Sequence, residues 1–278
     1  MDRLESTNLA KTLVIKLGGT EGVDFSAICA DAVELLSQGY RLVLVHGGSA
    51  EATSLGEALG TPPRFITSPS GYTSRYTDRS TLEVFLMAVN GKVNSLLTEQ
   101  LHGLGVCAFG LSGMDGRLMV AGRKEVIQSV EAGKRRLIRD DYTGKIEQVN
   151  TDLLEMLLGA GYLPVVAPVA VSPKGEALNV DADRAAAMIA SALKADTLIL
   201  LTAAPGLMEK FPDESTVVKH VSPLQLPAAL DMAQGRMKKK VLGAEEALQG
   251  GVGRVIIADG RVQQPVTRAL GGSGTLIQ

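Results

Sequence analysis

Two cysteines and three histidines are all the thiol and imidazole ligands that this 278-residue chain has for zinc. Cys29, Cys107, His46, His102 and His220 match no familiar zinc spacing. Both cysteines fall in apolar segments and read as buried thiols, which fits a reducing compartment. No apolar run is long enough to span a bilayer, and residues 1–11 are too polar for a signal peptide, so a cytoplasmic protein without a membrane partner is expected. Net charge is −2, which argues against nucleic-acid binding by the protein as a whole and confines any basic patch to one locality. There is no Gly-x-x-x-x-Gly-Lys-Ser/Thr phosphate loop and no His-Arg-Asp with Asp-Phe-Gly. No Gly-x-Gly-x-x-Gly follows a strand, no Gly-x-Ser-x-Gly occurs, and the histidines suggest no catalytic triad.

What is present suffices for one large or two modest domains, with 45% hydrophobic and 21% charged residues. Residues 13–20, Leu-Val-Ile-Lys-Leu-Gly-Gly-Thr, read as a buried strand running into a glycine turn. A lysine inside an apolar strand is costly unless an anion meets its ammonium. Glycines let backbone N–H groups approach an anion closely. Lys16 with Gly18 and Gly19 is therefore a possible phosphate cradle; equally, it is a strand end with a snorkelling lysine and a flexible turn.

Further along, strands and helices alternate. Asp24 can cap a helix over 25–38, which Gly39 ends. A strand over 42–45 meets a second glycine turn, His46-Gly47-Gly48-Ser49, followed by a helix over 51–59. This alternation predicts an α/β fold with a mostly parallel sheet and helices on both faces. Ligands of such sheets bind at the carboxyl ends of the strands, so both turns point to one edge. Thr77 or Asp78 caps a long helix through 101, whose broad apolar face fits either the core or a second subunit. Arg75, just before it, is placed to fork a carboxylate, though a lone loop arginine is ordinarily a solvated surface residue. After a strand over 106–112, residues 118–149 read as β-hairpins rich in Arg123, Lys124, Lys134, Arg135, Arg136, Arg139 and Lys145. A solvated hairpin and a docking face for an acidic partner both explain that charge. Thr151 caps a helix over 152–160, and a buried strand over 163–167 follows. Asn179 and Asp183, four apart across a helix start, can face one cleft. A strand over 197–202, a helix after residues 234–240, a core strand over 254–258 and an edge strand over 274–277 complete the pattern. A border near residue 177 separates the expected domains, 1–177 and 178–278. Lysines, glycine turns and an aspartate without a general base suit phosphoryl transfer to an acceptor already ionised, since a carboxylate has a pKa of about 4.

Lys16-Leu17-Gly18-Gly19, His46-Gly47-Gly48-Ser49, Arg75-Tyr76-Thr77-Asp78, Asn179-Val180-Asp181-Ala182-Asp183 and the Lys240 region occur in the order seen in the amino-acid kinase family. The chain resembles its acetylglutamate kinase branch over nearly its whole length. The resemblance implies an open αβα sandwich with a mainly parallel central sheet. The first part would bind the acyl acceptor, the second ATP, and an acyl phosphate would form with ATP and Mg2+. It also implies that Lys16 and Lys240 stabilise the transferring phosphoryl group and that Asp183 holds both lysines. Gly18 and Gly19 would bind ATP phosphates, while Gly47, Gly48 and Ser49 would bind acceptor and γ-phosphate. Arg75 and Asn179 would grip the acceptor, Arg75 at its α-carboxylate.

The departures are as informative. Ser49 stands where that branch usually has a third glycine, Gly113-Met114-Asp115-Gly116 replaces Gly-Lys-Asp-Gly, and Leu201-Thr202-Ala203 replaces Leu-Leu-Thr-Asp. The His-Gly-Gly-Ser, Tyr-Thr-Ser-Arg-Tyr-Thr-Asp and Lys-Arg-Arg-Leu-Ile-Arg-Asp-Asp-Tyr-Thr-Gly-Lys stretches look like the lysine-biosynthesis sister branch. Its members phosphorylate the side-chain carboxylate of 2-aminoadipate while a small acidic carrier protein holds the amino group. On that resemblance Arg123, Lys124, Lys134, Arg135, Arg136 and Arg139 would dock the carrier. The stretch before Lys16 is too short for the extra helix of arginine-inhibited hexameric relatives, so a homodimer is expected. N-acetylglutamate, or both carrier-linked acceptors, are the alternatives, because one methylene is worth only about 1–3 kcal/mol in a pocket.

Overall fold

In the computed structural model, which describes residues 10–18, 23, 25–69, 73–123, 125–131 and 134–278, the apolar stretch after Lys11 is strand β1 (Thr12–Leu17). Gly19, Asp24, the loop residues Ser70, Gly71 and Tyr72, and Lys124 lie outside the described residues, as does the side chain of Lys134. Next come α1 (Phe25–Ser37), β2 (Arg41–His46), α2 (Ser49–Ala58), β3 (Phe65–Thr67) and β4 (Thr73–Arg75). A long helical rod follows: α3 (Arg79–Leu86), a π-helical segment (Met87–Asn94) and α4 (Ser95–Gly103). The β-rich middle holds β5 (Ala108–Ser112), β6 (Met119–Arg123), β7 (Ile127–Glu131), β8 (Lys134–Ile138) and β9 (Gly144–Val149). Then come α5 (Thr151–Gly159), β10 (Leu163–Ala167), β11 (Val169–Val171), β12 (Ala177–Asn179), α6 (Ala182–Ala192) and β13 (Thr197–Thr202). The chain closes with β14 (His220–Val221), α7 (Leu226–Met232), α8 (Arg236–Gln249), β15 (Arg254–Asp259), α9 (Pro265–Leu270) and β16 (Thr275–Ile277).

The expected mainly parallel sheet forms, with strand order β14-β16-β15-β13-β1-β2-β10-β5. The six strands from β15 to β5 run parallel, and β16 turns back against β15. Strand periodicity assigns β1 to two cores at once. Leu13, Ile15 and Leu17 pack with α1, α4 and α9 on one face. Val14 packs with α5, α6 and α8 on the other, and Lys16 shares that face with Val14. Each such leucine or isoleucine contributes about 1.5–3 kcal/mol on burial. One helix layer therefore covers each face of the sheet, and Lys16 is aimed at the layer containing α6 and α8.

Gly39 ends α1 with φ +86°, a conformation open mainly to glycine. Asp78 is the N-cap of α3 and accepts from the Thr81 N–H at 2.8 Å. Several expectations are corrected. Thr151 is the first residue of α5, and its cap is Asn150, whose side chain accepts from the Leu153 N–H. β16 pairs with β15 and β14 and so is interior, leaving β14 at the sheet edge. Cys29 is buried, whereas Cys107 is exposed beside β5, the last strand at the opposite edge of the sheet among the described residues. The insert is only partly a solvated hairpin: β6 and β9 join β11 and β12 in a second sheet of four strands, burying Met119, Ala121 and Ile146. The β7–β8 hairpin forms a two-stranded sheet of its own and packs against β3. No helix among the described residues is long and apolar enough to cross a membrane.

Candidate active site

The carboxyl end of β1 meets the starts of two helices. Asp181 caps α6 by accepting from the N–H groups of Asp183 and Arg184 at 3.0 and 3.2 Å, which sets Asp183 in the first turn. A carboxylate there is favoured by the helix dipole. α8 begins at Arg236, after Gly235 at φ +53°, so Lys240 lies within the helix rather than ahead of it. The Asp183 carboxylate then binds Lys16 Nζ at 2.9 Å and Lys240 Nζ at 2.8 Å. All three side chains are buried. Burial by itself would raise the Asp183 pKa; the Lys16 and Lys240 ammonium groups hold it well below the usual carboxylate range. Burial pushes the Lys240 ammonium down, and Asp183 opposes that shift. Two cations and one anion leave a net positive centre out of water, a costly arrangement that an anionic ligand would relieve.

Two strand ends flank this centre. A side chain on Gly18 would place its Cβ 3.0 Å from the Leu201 carbonyl, a tight approach that glycine avoids where β1 ends beside β13. The Gly47 N–H donates to the Leu17 carbonyl at 3.0 Å, joining the turns of β1 and β2. Gly48 is the N-cap of α2, where first-turn N–H groups lack intrahelical partners. A Cβ on Gly48 would lie 2.6 Å from Val89 of the π-helical segment.

Arg75 is buried, not solvated. Its Nη2 donates to the Ser49 carbonyl and Thr53 Oγ1, each at 2.9 Å, and its guanidinium lies 5.1 Å from the centre of the Phe65 ring. Ser49 and Arg75 are thus brought together. Asn179 is placed by β12 and donates to Thr77 Oγ1 at 3.0 Å, while that hydroxyl donates to the Arg75 carbonyl at 3.2 Å. Beneath this chain of contacts, Asp141 accepts from the Thr77 N–H at 3.0 Å and the Thr143 N–H at 2.8 Å. Sequence reasoning passed over Asp141 and Thr53; the Asp-Tyr-Thr run was the available signal, since an aspartate two residues before a threonine can bond its N–H.

Of the basic insert residues, Arg123 is committed inward. Its guanidinium stacks 3.7 Å from the centre of the Tyr142 ring and donates to Glu176 at 3.0 Å and to the Asp141 carbonyl at 2.9 Å. Arg135, Arg136 and Arg139 are exposed on or beside β8.

Next to Lys240 opens a cavity of about 400 Å³ lined by Leu207, Met208, Phe211, Met232 and Met237. A flat apolar ring fits such a lining, which Lys240 also borders. Sequence reasoning missed it, because these residues come from two separate stretches, 207–211 and 232–237. No group of three or more His, Cys, Asp or Glu is placed to hold a metal among the described residues.

An apolar cavity ending at a buried cationic cluster, at the carboxyl edge of a parallel sheet, defines the class: a kinase of small molecules. The chain belongs to the amino acid kinase family, whose sequence pattern matches residues 11–259. It is 52% identical over 269 residues to the LysW-aminoadipate kinase of Deinococcus radiodurans, covering 97% of this chain and 92% of that one. To the enzyme of the same name from Thermus thermophilus it is 50% identical over 268 residues, covering 96% and 100%. Among solved structures it resembles N-acetylglutamate synthase from Neisseria gonorrhoeae in complex with coenzyme A and N-acetylglutamate, with TM-score 0.78 and 28% identity. That likeness covers 96% of this chain but only 59% of the synthase.

Proposed function

We propose that the protein transfers the γ-phosphoryl group of ATP to the side-chain carboxylate of 2-aminoadipate while a small acidic carrier protein holds the amino group. The carrying observation is the buried Lys16–Asp183–Lys240 cluster with its net positive charge. A carboxylate oxygen forms the new bond to phosphorus as the β–γ bridging bond breaks and ADP leaves. No proton moves, because the acceptor is already ionised, so no general base is needed. Lys16 and Lys240 stabilise charge on the transferring group, and Asp183 fixes their ammonium groups. Gly18 and Gly19 approach the ATP phosphates. Gly47, Gly48 and Ser49 border the acceptor and γ-phosphate, with Arg75 and Asn179 on the acceptor. Residues 1–177 serve the acceptor and 178–278 the nucleotide, whose base fits the apolar cavity. Magnesium fits as a companion of the nucleotide phosphates, which suits a cation that keeps several waters and is held largely by substrate oxygens. There it would screen phosphate charge.

The test is acyl-phosphate formation from ATP, trapped as hydroxamate. N-acetylglutamate, N-acetyl-2-aminoadipate and carrier-linked 2-aminoadipate are compared at equal concentration. The expected result is strong preference for the carrier-linked acceptor; a preference for N-acetylglutamate would overturn the assignment.

Carrier docking falls to Arg135, Arg136 and Arg139, exposed at the β7–β8 hairpin; Lys124 and Lys134 belong to the same basic stretch. Arg123 serves instead as the brace beneath it. The double variant Arg135→Glu/Arg136→Glu should weaken carrier binding at least tenfold (~1.4 kcal/mol) and flatten its salt dependence, leaving turnover of N-acetyl-2-aminoadipate within twofold. Unchanged carrier affinity, measured by titration at two salt concentrations, would remove the hairpin from docking.

A homodimer fits the other edge of the sheet. β5 ends the sheet there, and Leu96, Phe109 and Tyr162 expose 53%, 42% and 42% of their surfaces. Phe109→Glu with Leu96→Glu should shift light-scattering mass from two chains to one.

A further inference from the structure

The histidine that opens the His-Gly-Gly-Ser turn has no role in the reaction as proposed, yet it is wholly enclosed beside the site. His46 is fully buried at the carboxyl end of β2. Its Nδ1 lies 2.8 Å from the Gly47 carbonyl, and its Nε2 lies 3.0 Å from Asn94 Nδ2. Asn94 ends the π-helical segment. Its Nδ2 also reaches the Val165 carbonyl at 2.8 Å and the Leu111 carbonyl at 3.4 Å. Two carbonyls on that side can accept only from the amide nitrogen, so the orientation of the Asn94 amide is determined. His46 Nε2 therefore faces a donor and keeps its lone pair, and the single ring proton resides on Nδ1, which donates to Gly47. Burial lowers the imidazole pKa to about 4, against a smaller upward pull from the Gly47 carbonyl. The backbone is cut to fit this pair: a Cβ on Gly110 would lie 2.3 Å from Asn94 Oδ1.

We propose that His46 is a positioning residue, whose Nδ1–H, held in that tautomer by Asn94, pins the Gly47–Gly48 peptide plane and so aims the Gly48 N–H at the ligand. A trans peptide is planar, with its C=O and N–H on opposite sides. Fixing the Gly47 carbonyl toward the interior turns the Gly48 N–H outward. A Gly-Gly peptide has no Cβ to resist rotation, so without the imidazole it samples the flipped orientation. Val89, packed where a Gly48 side chain would be, limits the turn from the other side. The inference rests on the proposal that this turn borders acceptor and γ-phosphate.

The test compares His46→Asn with His46→Gln in the full-length chain. Asparagine places an amide N–H near the position of Nδ1 and keeps the bond to Gly47. Glutamine reaches toward Nε2 and satisfies Asn94 but not Gly47. His46→Asn should keep kcat within threefold of the parent, and His46→Gln should lose at least tenfold in kcat with KM for ATP within twofold. The Gly48 amide resonance should hold its position in the first variant and move in the second. In the parent, ¹⁵N shifts of the three imidazoles should show His46 as the Nδ1–H tautomer; this needs no variant to fold. An Nε2–H tautomer, or equal kcat in the two variants, overturns the inference. If the parent phosphorylates none of the acceptors, the proposed reaction fails, while the tautomer and the Gly48 resonance still decide whether His46 pins the peptide.

Discussion

Lys240→Met should lower kcat about 10³-fold (~4 kcal/mol) and leave the protein at least as stable as the parent. The two halves of this expectation have one cause. The parent holds two ammonium groups on one carboxylate, at 2.9 and 2.8 Å, in a site almost closed to water. That surplus charge is unfavourable in the resting protein and becomes favourable only when negative charge gathers on the transferring phosphoryl group. Removing Lys240 leaves Lys16 and Asp183 as a neutral buried pair, which relieves the resting cost. Methionine keeps a similar length and volume, so no cavity opens in α8. Lys240→Arg should not restore turnover, because a planar fork cannot replace a compact ammonium between Asp183 and a phosphate. Single-turnover ADP release and urea denaturation check the two halves. A kcat within tenfold of the parent would remove Lys240 from the chemistry. A loss of more than 2 kcal/mol in stability would mean that the cluster is held mainly for folding.

The parts of this site that are legible in sequence are those whose spacing is local. Lys16 in an apolar strand before glycines, and Asp183 just inside a helix start, announce themselves within ten residues. Alternation along β1 even tells which face Lys16 takes. The sequence pattern puts Lys240 before its helix rather than within it, because Gln234-Gly235-Arg236 reads as loop while Gly235, at φ +53°, is the cap. Pairings across long stretches were invisible. β6 joins β11 through Val120 and Val171, so half of the basic insert is core sheet, which no local pattern encodes. The same holds for Asp141 under Thr77, and for Arg123, whose charge reads as surface while its guanidinium lies on Tyr142. Cys107 sits in an apolar run but beside an edge strand, and the edge decides its exposure. The π-helical turn over Met87–Asn94 follows no hydrophobic period, yet it is what brings Val89 and Asn94 onto the glycine turn.

Asp183→Asn should be the most destabilising single change at the site, costing about 3–5 kcal/mol at neutral pH and abolishing turnover. Here the substitution removes the carboxylate that Lys16 and Lys240 share and leaves two ammonium groups facing each other in the interior. The pH dependence separates this from a simple packing defect. The folded-state pKa of Asp183 is depressed by its two lysines. A depressed carboxylate contributes stability above its unfolded value, near 3.9, and that contribution is lost as pH falls from there through the folded value. The parent should therefore weaken steeply below about pH 4, and the variant should lack that part of the slope. At the alkaline end the order reverses. Lys240 is already held below its usual pKa by burial, with Asp183 pulling the other way. Without Asp183 it falls further, so the unfolded chain binds more protons than the folded one, and stability must rise with pH. Between pH 7 and 10 the variant should regain stability more steeply than the parent in urea titrations. A variant within 1 kcal/mol of the parent at pH 7, or one whose stability falls toward pH 10, would show that the lysines do not depend on Asp183 for their charge.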